Sequence, residues 1–245
     1  MNKFTQKSLL LATAATLLIL VTVITPAVSG SNGPLNSEIT VTTELNNISQ
    51  ADIEGVKKEV RTALSSIPQL LGIEYKKTTT INLVDTGICY ASGGIVSISI
   101  SHIRDRSAPV IHEITHIIAK HKYNSFFSEG LAVYFQERFG KSEGFPNFSE
   151  SLDELVRNNK DQLLSILQLT NDNEIFEQVG TERRKIAYIE AGSFINFLVV
   201  KYGEQKLADL HNSSSLNYKK VYGKNINELE AEWRDYIFGA SLIKT

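Results

Sequence analysis

The amino-acid sequence predicts an α+β fold in which a small α/β lobe with a mixed sheet precedes an all-helical lobe. Three segments alternate apolar and polar residues as β-strands do, and they are residues 39–44, 79–84 and 95–101. Beyond these segments, apolar residues recur at helical spacing to near the end of the chain. We therefore expect the α/β lobe at residues 37–121 and the helical lobe at residues 122–245.

Within the predicted α/β lobe, local signals indicate where elements begin and end. Ser49, with Asp52 three residues later, predicts the start of a helix that ends near residue 66, with Pro68 beyond its end. Residues 95–101 alternate branched aliphatic residues with serines. This alternation predicts a strand with one buried face and one solvated face.

The remaining pattern is helical. A helix is predicted over residues 108–121, with Ser107 as its N-cap and Pro109 tolerated in its first turn. Three later helices are expected over residues 125–139, 183–202 and 225–237. Gly140 and Gly203 mark the ends of the first two.

The composition limits the classes of function. With 245 residues, of which 42% are hydrophobic, the chain can bury a sizeable core. Its formal net charge is −2 and its longest basic run, residues 183–185, is short, so we expect no nucleic-acid partner. Cys89 is the only cysteine, which excludes an intrachain disulfide and a cysteine-rich metal site. We expect Cys89 to be a small buried hydrophobe rather than a reactive thiol.

The first 29 residues differ from the rest of the chain. Lys3 and Lys7 precede an uncharged apolar stretch, which ends in small residues around Ser29 and Gly30. These are the three parts of a secretory signal peptide, and they predict one over residues 1–29. The apolar core is long for a signal peptide and short for a spanning helix, so an uncleaved membrane anchor is the alternative.

Both interpretations place the rest of the chain outside the cytoplasm, because the two lysines stay on the cytoplasmic side. We expect a protein that is secreted or anchored to the outer face of the cell membrane. Its N-terminal segment would engage the membrane or the export machinery. Residues 30–36 are a turn-rich linker, and the folded domain is expected over residues 37–245.

Residues 112–116 read His-Glu-Ile-Thr-His. On a helix, His112 and His116 lie four positions apart, so both imidazoles leave one face one turn apart. That spacing suits two nitrogen ligands of a tetrahedral Zn²⁺. Glu113 lies beside them, placed to take a proton from a metal-bound water, and this pattern is typical of metalloproteases. Chance occurrence of so short a pattern is the competing explanation.

A catalytic zinc takes three protein ligands, so a third must be found. His121 lies five positions after His116 on the same predicted helix. It therefore points about 140° away around the helix axis and cannot bind the same ion as His116. Glu129 is the better candidate, because two helices joined by a short loop pack side by side. A solvated or capping carboxylate at a helix start is the alternative for Glu129, but the two nearby histidines favour a ligand.

These motifs carry a resemblance to a known family. The string from His112 to His116, followed after twelve residues by Glu-Gly-Leu-Ala from Glu129, resembles the gluzincin metallopeptidases. It is most similar to the peptidase MA-like group, which is related to the aminopeptidases of the leukotriene A4 hydrolase type. The likeness spans residues 80–240 and is sharpest at the two motifs. It implies a thermolysin-like catalytic domain with a zinc cleft between the two lobes and one Zn²⁺ per chain.

The resemblance also implies roles for individual residues. His112, His116 and Glu129 would be the zinc ligands, Glu113 the general base, and Tyr188 a donor that stabilises the oxyanion. An ordinary core aromatic is the alternative for Tyr188. Thermolysin-like gluzincins place an aspartate four residues after the glutamate ligand, where this chain has a valine. The group that orients the histidines must therefore lie elsewhere.

The sequence thus predicts an extracytoplasmic zinc metallopeptidase acting on a peptide or protein substrate. The resemblance also implies that residues 93–101 include an edge strand that would pair with the substrate backbone, and an ordinary sheet strand is the alternative. Two other functions stay open, a zinc hydrolase of a non-peptide substrate and a catalytically silent cell-surface protein that retains the fold. Cleavage preference and oligomeric state do not follow from the sequence.

Overall fold

A computed structural model describes residues 38–45, 48–85, 87–120 and 123–239, and the backbone of residues 19–22. The rest of the expected signal peptide or anchor and the linker lie outside the described residues, and so does His121. The N-terminal assignment therefore stays a prediction. Among the described residues, no helix is both long and apolar enough to cross a membrane.

The described strands form one mixed sheet, as predicted. The strands are Ile19–Thr22 (β1), Ile39–Thr43 (β2), Thr79–Val84 (β3), Tyr90–Ser92 (β4) and Ile95–Ser99 (β5). Their order is β1-β2-β3-β5-β4. The pairs β2–β3 and β3–β5 are parallel, whereas β1 and β4 pair antiparallel at the two edges.

Helices make up most of the rest of the described chain. They are Gln50–Leu71 (α1), Ile100–Arg104 (α2), Val110–Ala119 (α3), Ser125–Phe139 (α4), Leu152–Asn158 (α5), Ile166–Asn171 (α6), Glu174–Glu177 (α7), Glu182–Tyr202 (α8), Glu204–Asn212 (α9), Tyr218–Tyr222 (α10) and Ile226–Phe238 (α11). A single 3₁₀ turn, Lys160–Gln162, follows α5. The fold is therefore α+β, with the strands early in the chain and helices dominating after them.

Helix α1 begins as predicted but ends later. The Ser49 side chain accepts a hydrogen bond from the Asp52 N–H at 3.0 Å. Pro68 lies within the last turn instead of beyond it, because the helix continues until Gly72, whose φ of 59° closes it in a left-handed cap. The extra turns bury Ile67 and Leu71 completely, and this burial favours the longer helix.

The prediction of a half-solvated strand over residues 95–101 was wrong in two respects. The strand ends at Ser99, and Ile100 begins the short helix α2. Ser97 and Ser99 are both buried, at 3% and 0% exposure. Burial of Ser99 is tolerated because its hydroxyl bonds the Asp85 carbonyl and the Ser101 hydroxyl.

Helix α3 is shorter than predicted, and Ser107 does not cap it. Pro109 occupies the N-cap position, while the Ser107 hydroxyl donates to the His102 carbonyl at 3.4 Å. The first-turn N–H of His112 instead donates to the Gln136 side chain of α4 at 3.0 Å. A side chain from another helix therefore satisfies one of the free N–H groups at this helix start.

Close packing of α4 on α8 depends on two glycines. A Cβ on Gly130 would lie 2.8 Å from the Ala191 carbonyl oxygen, and one on Gly192 would lie 2.5 Å from a Val133 methyl. Val133 is thus a packing residue. Helix α3 packs between α1 and α4, and one continuous hydrophobic core joins the sheet to the helices.

Candidate metal centre

Two helices bring three donor atoms together. Helix α3 carries His112 and His116, and the first turns of α4 carry Glu129. The two histidine Nε2 atoms lie 3.1 Å apart. Glu129 Oε2 lies 3.2 Å from Nε2 of His112 and 3.4 Å from Nε2 of His116. Within the described part of the chain, this is the group of His, Cys, Asp and Glu side chains arranged to hold a metal ion.

The spacing of these atoms fits a tetrahedral ion. Bonds of about 2.0–2.1 Å at tetrahedral angles place neighbouring donors about 3.3–3.4 Å apart. The three donor distances in this structure, 3.1, 3.2 and 3.4 Å, lie close to that value. Glu129 Oε2 is buried, and no described group donates a well-aligned hydrogen bond to it, although both imidazoles are near. A buried carboxylate oxygen in that position is costly unless a cation satisfies it. The residues therefore fit a zinc ion.

The electrostatics of Glu129 suit a ligand. Burial opposes its ionisation, but the adjacent imidazoles, His116 foremost, outweigh burial and hold the pKa of Glu129 well below its usual range. The carboxylate is therefore ionised, which is the form that binds metal. Its alternative as an exposed helix-capping group does not hold, because the side chain is only 13% exposed and faces the histidines.

Glu113 lies on α3 between the two histidines in sequence and is 7% exposed. Burial raises the pKa of Glu113 to about 7, with a further increase from Glu129 and opposition from His116 and Arg184. A carboxyl that titrates near neutrality can both take up and release a proton. A divalent cation held by the three donors would lower this pKa, because positive charge favours the carboxylate.

Tyr188 of α8 lies beside the donors, so it is not an isolated core aromatic. Its ring stacks on that of His112, with centroids 6.1 Å apart and planes 12° apart. Burial raises the pKa of Tyr188, and the nearby Glu129 carboxylate raises it further. The phenol is therefore protonated at neutral pH and can donate a hydrogen bond into the site.

Arg184 is a site residue that the sequence analysis missed. Its Nη2 donates to the Tyr188 hydroxyl at 2.9 Å, and its Nε donates to the Phe176 carbonyl at 2.7 Å. The guanidinium carbon also lies 5.1 Å from the centroid of the Phe145 ring. Its position four residues before Tyr188 on a predicted helix is the signal that could have identified it.

Cys89 is buried as expected, at 7% exposure. Burial raises the pKa of its thiol to about 11, and the Ser99 N–H donates to Sγ at 3.5 Å. A thiol that stays protonated at neutral pH is a poor nucleophile and a poor metal ligand. Cys89 is therefore a packing residue close to the site.

The strand at the edge of the sheet is not the one predicted. Residues 95–99 form β5, which pairs on both sides and cannot accept another strand. The edge strand next to β5 is β4, and its outer side has no strand partner within the described sheet. Beside it lies a groove of about 850 Å³, which we call the His116 groove. It is lined by His116, the end of α3, residues 91–94 and residues 73–78, with His211 and Asn212 of α9.

A helix carrying His-Glu-x-x-His, packed against a second helix that supplies a glutamate, defines a protein of the metallopeptidase type. The chain belongs to the Peptidase MA superfamily, whose family model matches residues 82–239. The match covers more than half of the chain and includes the three donor residues, Glu113, Arg184 and Tyr188, but not residues 73–78 of the His116 groove. Membership indicates protease activity in general. No curated protein matches the chain in a sequence comparison.

Proposed function

We propose that this protein is an extracytoplasmic zinc-dependent metallopeptidase that hydrolyses peptide bonds. The observation that carries the proposal is the convergence of His112, His116 and Glu129 within 3.4 Å of one another, with Glu113 on the same helix. Membership in the Peptidase MA superfamily supports it, because peptidases of this clan are generally zinc-dependent. The apolar N-terminal segment supports the location.

The proposed reaction assigns one task to each side chain. Bound zinc supplies a Lewis acid and a water of lowered pKa. Glu113 accepts the proton of the attacking water and passes it to the leaving amine, because its carboxylate lies on the same helix as the two histidine ligands. The Tyr188 hydroxyl donates to the carbonyl oxygen as negative charge develops on it. Strand β4 holds the substrate backbone by strand pairing.

Replacing Glu113 tests the proposal. The protein should cleave a mixed peptide library, whereas Glu113→Gln should lower kcat by at least about a hundredfold, because it removes the base and keeps the shape. Zinc content and melting temperature should not change. Mass spectrometry of the digest and metal analysis of both proteins measure these quantities.

Two outcomes would contradict the proposal. Equal turnover by the wild-type and Glu113→Gln proteins would remove Glu113 from the base role. Failure of the zinc-loaded wild type to cleave any peptide would reject peptidase activity. Glu137→Gln is the matched control, since this half-buried glutamate lies near the other end of α4 and accepts a hydrogen bond from the Leu152 N–H of α5.

A further inference from the structure

The His116 groove carries a local positive charge in a chain of net negative charge. Lys76, Lys77 and Lys120 line it, and Glu74 is the one carboxylate among its described lining residues. The whole chain has a formal net charge of −2. The basic groove is therefore a local feature, and it begins at a predicted metal ligand.

Two of these lysines, Lys77 and Lys120, are not paired with a carboxylate in the described part of the chain. Lys76 forms an ion pair with Glu74. Lys77 and Lys120 are exposed, and neither forms an ion pair with any group in the described part of the chain. Their ammonium groups are therefore available to a bound molecule.

Lys120 also occupies an unfavourable backbone conformation. Its φ of 59° and ψ of 146° are strained for any residue except glycine. Where helices α1, α8 and α10 end at positive φ, the residues are Gly72, Gly203 and Gly223. A lysine in the last turn of α3 would interact with the helix dipole as favourably as Lys120 does, without this strain. The presence of lysine at position 120 of the groove therefore indicates that its side chain has a role, which glycine could not fulfil.

The shape of the groove favours an extended peptide as the occupant. Ala91 and Ser92 of the edge strand β4 line it, and the outer side of β4 has no strand partner among the described residues. An extended backbone can pair with such an edge, which a nucleic acid or a sugar chain cannot do. His116 lies in the same wall, so a peptide paired with β4 passes the metal centre.

We infer that the His116 groove selects substrates with aspartate or glutamate side chains in the segment next to the cleaved bond. The inference rests on the proposed peptidase function and adds a substrate class to it. Lys77 and Lys120 contact the acidic side chains while β4 holds the backbone. Because both lysines are exposed, each contact contributes about a two- to fivefold gain in affinity at low salt.

Peptide binding to the zinc-loaded Glu113→Gln protein tests the inference without requiring turnover. The probes are two fluorescein-labelled peptides of equal length and equal apolar content, one with glutamates and the other with lysines at alternate positions. Fluorescence anisotropy should show at least about tenfold tighter binding of the acidic peptide at low salt, with the difference shrinking at high salt. Adding Lys77→Glu and Lys120→Glu together should remove or reverse the preference.

A lysine outside the groove provides the matched control. Lys58→Glu on the exposed side of α1 changes the net charge by as much as either groove substitution alone and should leave the preference unchanged. Equal affinity for the two peptides, or an equal effect of Lys58→Glu, would overturn the inference. An oligonucleotide that displaces the acidic peptide with equal or higher affinity would also overturn it.

The outcomes also separate this inference from the proposed function. If the acidic peptide binds and the protein with Glu113 intact does not cleave it, the peptidase proposal fails while the basic groove stands. If the protein cleaves peptides with no preference for acidic residues and no effect of the two lysine substitutions, the function stands and the inference fails.

Discussion

A single carboxylate oxygen completes the candidate metal centre. Oε2 of Glu129 is buried 3.2 and 3.4 Å from the two histidine nitrogens. Two histidines one helical turn apart are common enough to arise by chance, whereas a buried carboxylate aimed at both is not explained by packing. At the residue scale, Glu129 therefore favours a metal site over a coincidence of sequence.

The metal ligands can be tested by removing them one at a time. We expect about one zinc per wild-type chain, and His116→Ala and Glu129→Ala should each lose it, because two remaining ligands bind zinc weakly. Metal analysis after dialysis against a weak chelator measures this loss. His102→Ala is the matched histidine control, since His102 lies on α2 away from the donors. Equal zinc in all four proteins would reject the assignment.

Tyr188 and Arg184 form a pair that can be tested together. Tyr188→Phe keeps the ring and removes the hydroxyl, so kcat should fall by roughly 10²–10³ with little change in KM. Since guanidinium only donates hydrogen bonds, Arg184 occupies the phenol oxygen as acceptor and leaves the phenol proton for the substrate. Arg184→Met should therefore lower kcat by about tenfold, and it should have almost no effect once Tyr188 is Phe.

Arg183→Met provides the control, because Arg183 is the exposed neighbour of Arg184 on the same helix. An unchanged kcat in Tyr188→Phe, with a small loss of melting temperature, would make Tyr188 a core residue only. Losses that add fully in the double variant would mean that Arg184 acts independently of Tyr188.

At the scale of elements, the contact between α4 and α8 positions both Glu129 and Tyr188. Gly130 follows Glu129 directly, and a Cβ there would lie 2.8 Å from a backbone oxygen of α8. A backbone atom cannot rotate away as a side-chain end can, so the helices must separate. The geometry of the metal centre therefore depends on a glycine that is not itself a ligand.

Alanine at Gly130 should show this dependence. We expect Gly130→Ala to destabilise the fold by about 1–3 kcal/mol and to weaken zinc binding, because overpacking pushes α4 away from α8. Gly55→Ala is the control, since nothing lies within 4 Å of a Cβ at this exposed position of α1. It should stabilise the protein by about 0.5–1 kcal/mol. Urea unfolding and zinc titration measure both, and equal behaviour of the two variants would contradict the close-packing argument.

At the scale of the whole molecule, buried acids make stability depend on pH. Glu190 of α8 is fully buried; one of its carboxyl oxygens accepts from the Leu164 N–H at 3.0 Å, and the other has no partner among the described groups. Burial raises the pKa of Glu190 from 4.5 to about 8, against opposition from this hydrogen bond and from Arg234. The folded protein therefore holds this proton more tightly than the unfolded chain does.

The sign of the effect follows from that difference. The contribution of Glu190 to stability is fully present below pH 4.5 and is lost as the pH rises to about 8. Glu190→Gln cannot ionise, so its stability relative to wild type should increase across this window by up to about 1.4 kcal/mol per pH unit. Urea unfolding of both proteins at several pH values measures the difference, and a difference that does not change with pH would contradict the assignment.

The sequence predicted the local elements of the site well because helical periodicity and capping act over a few residues. His112 and His116 share a helix face as expected, and α4 spans Ser125–Phe139 as predicted. Errors arose where contacts between distant segments decided the outcome. Pro68 remained inside α1, and Gln136 rather than Ser107 satisfied the start of α3. Both outcomes depend on residues that are far apart in the chain, so a short window of sequence does not reveal them.

What the sequence by itself determined is the set of chemical groups and their spacing along each helix. The convergence of Glu129 on the histidines and the position of β4 at the sheet edge were decided only by tertiary structure. The physical reason is that local conformation depends on neighbours a few residues apart. The distance between two helices depends on how the residues between them pack, here on Gly130 and Gly192.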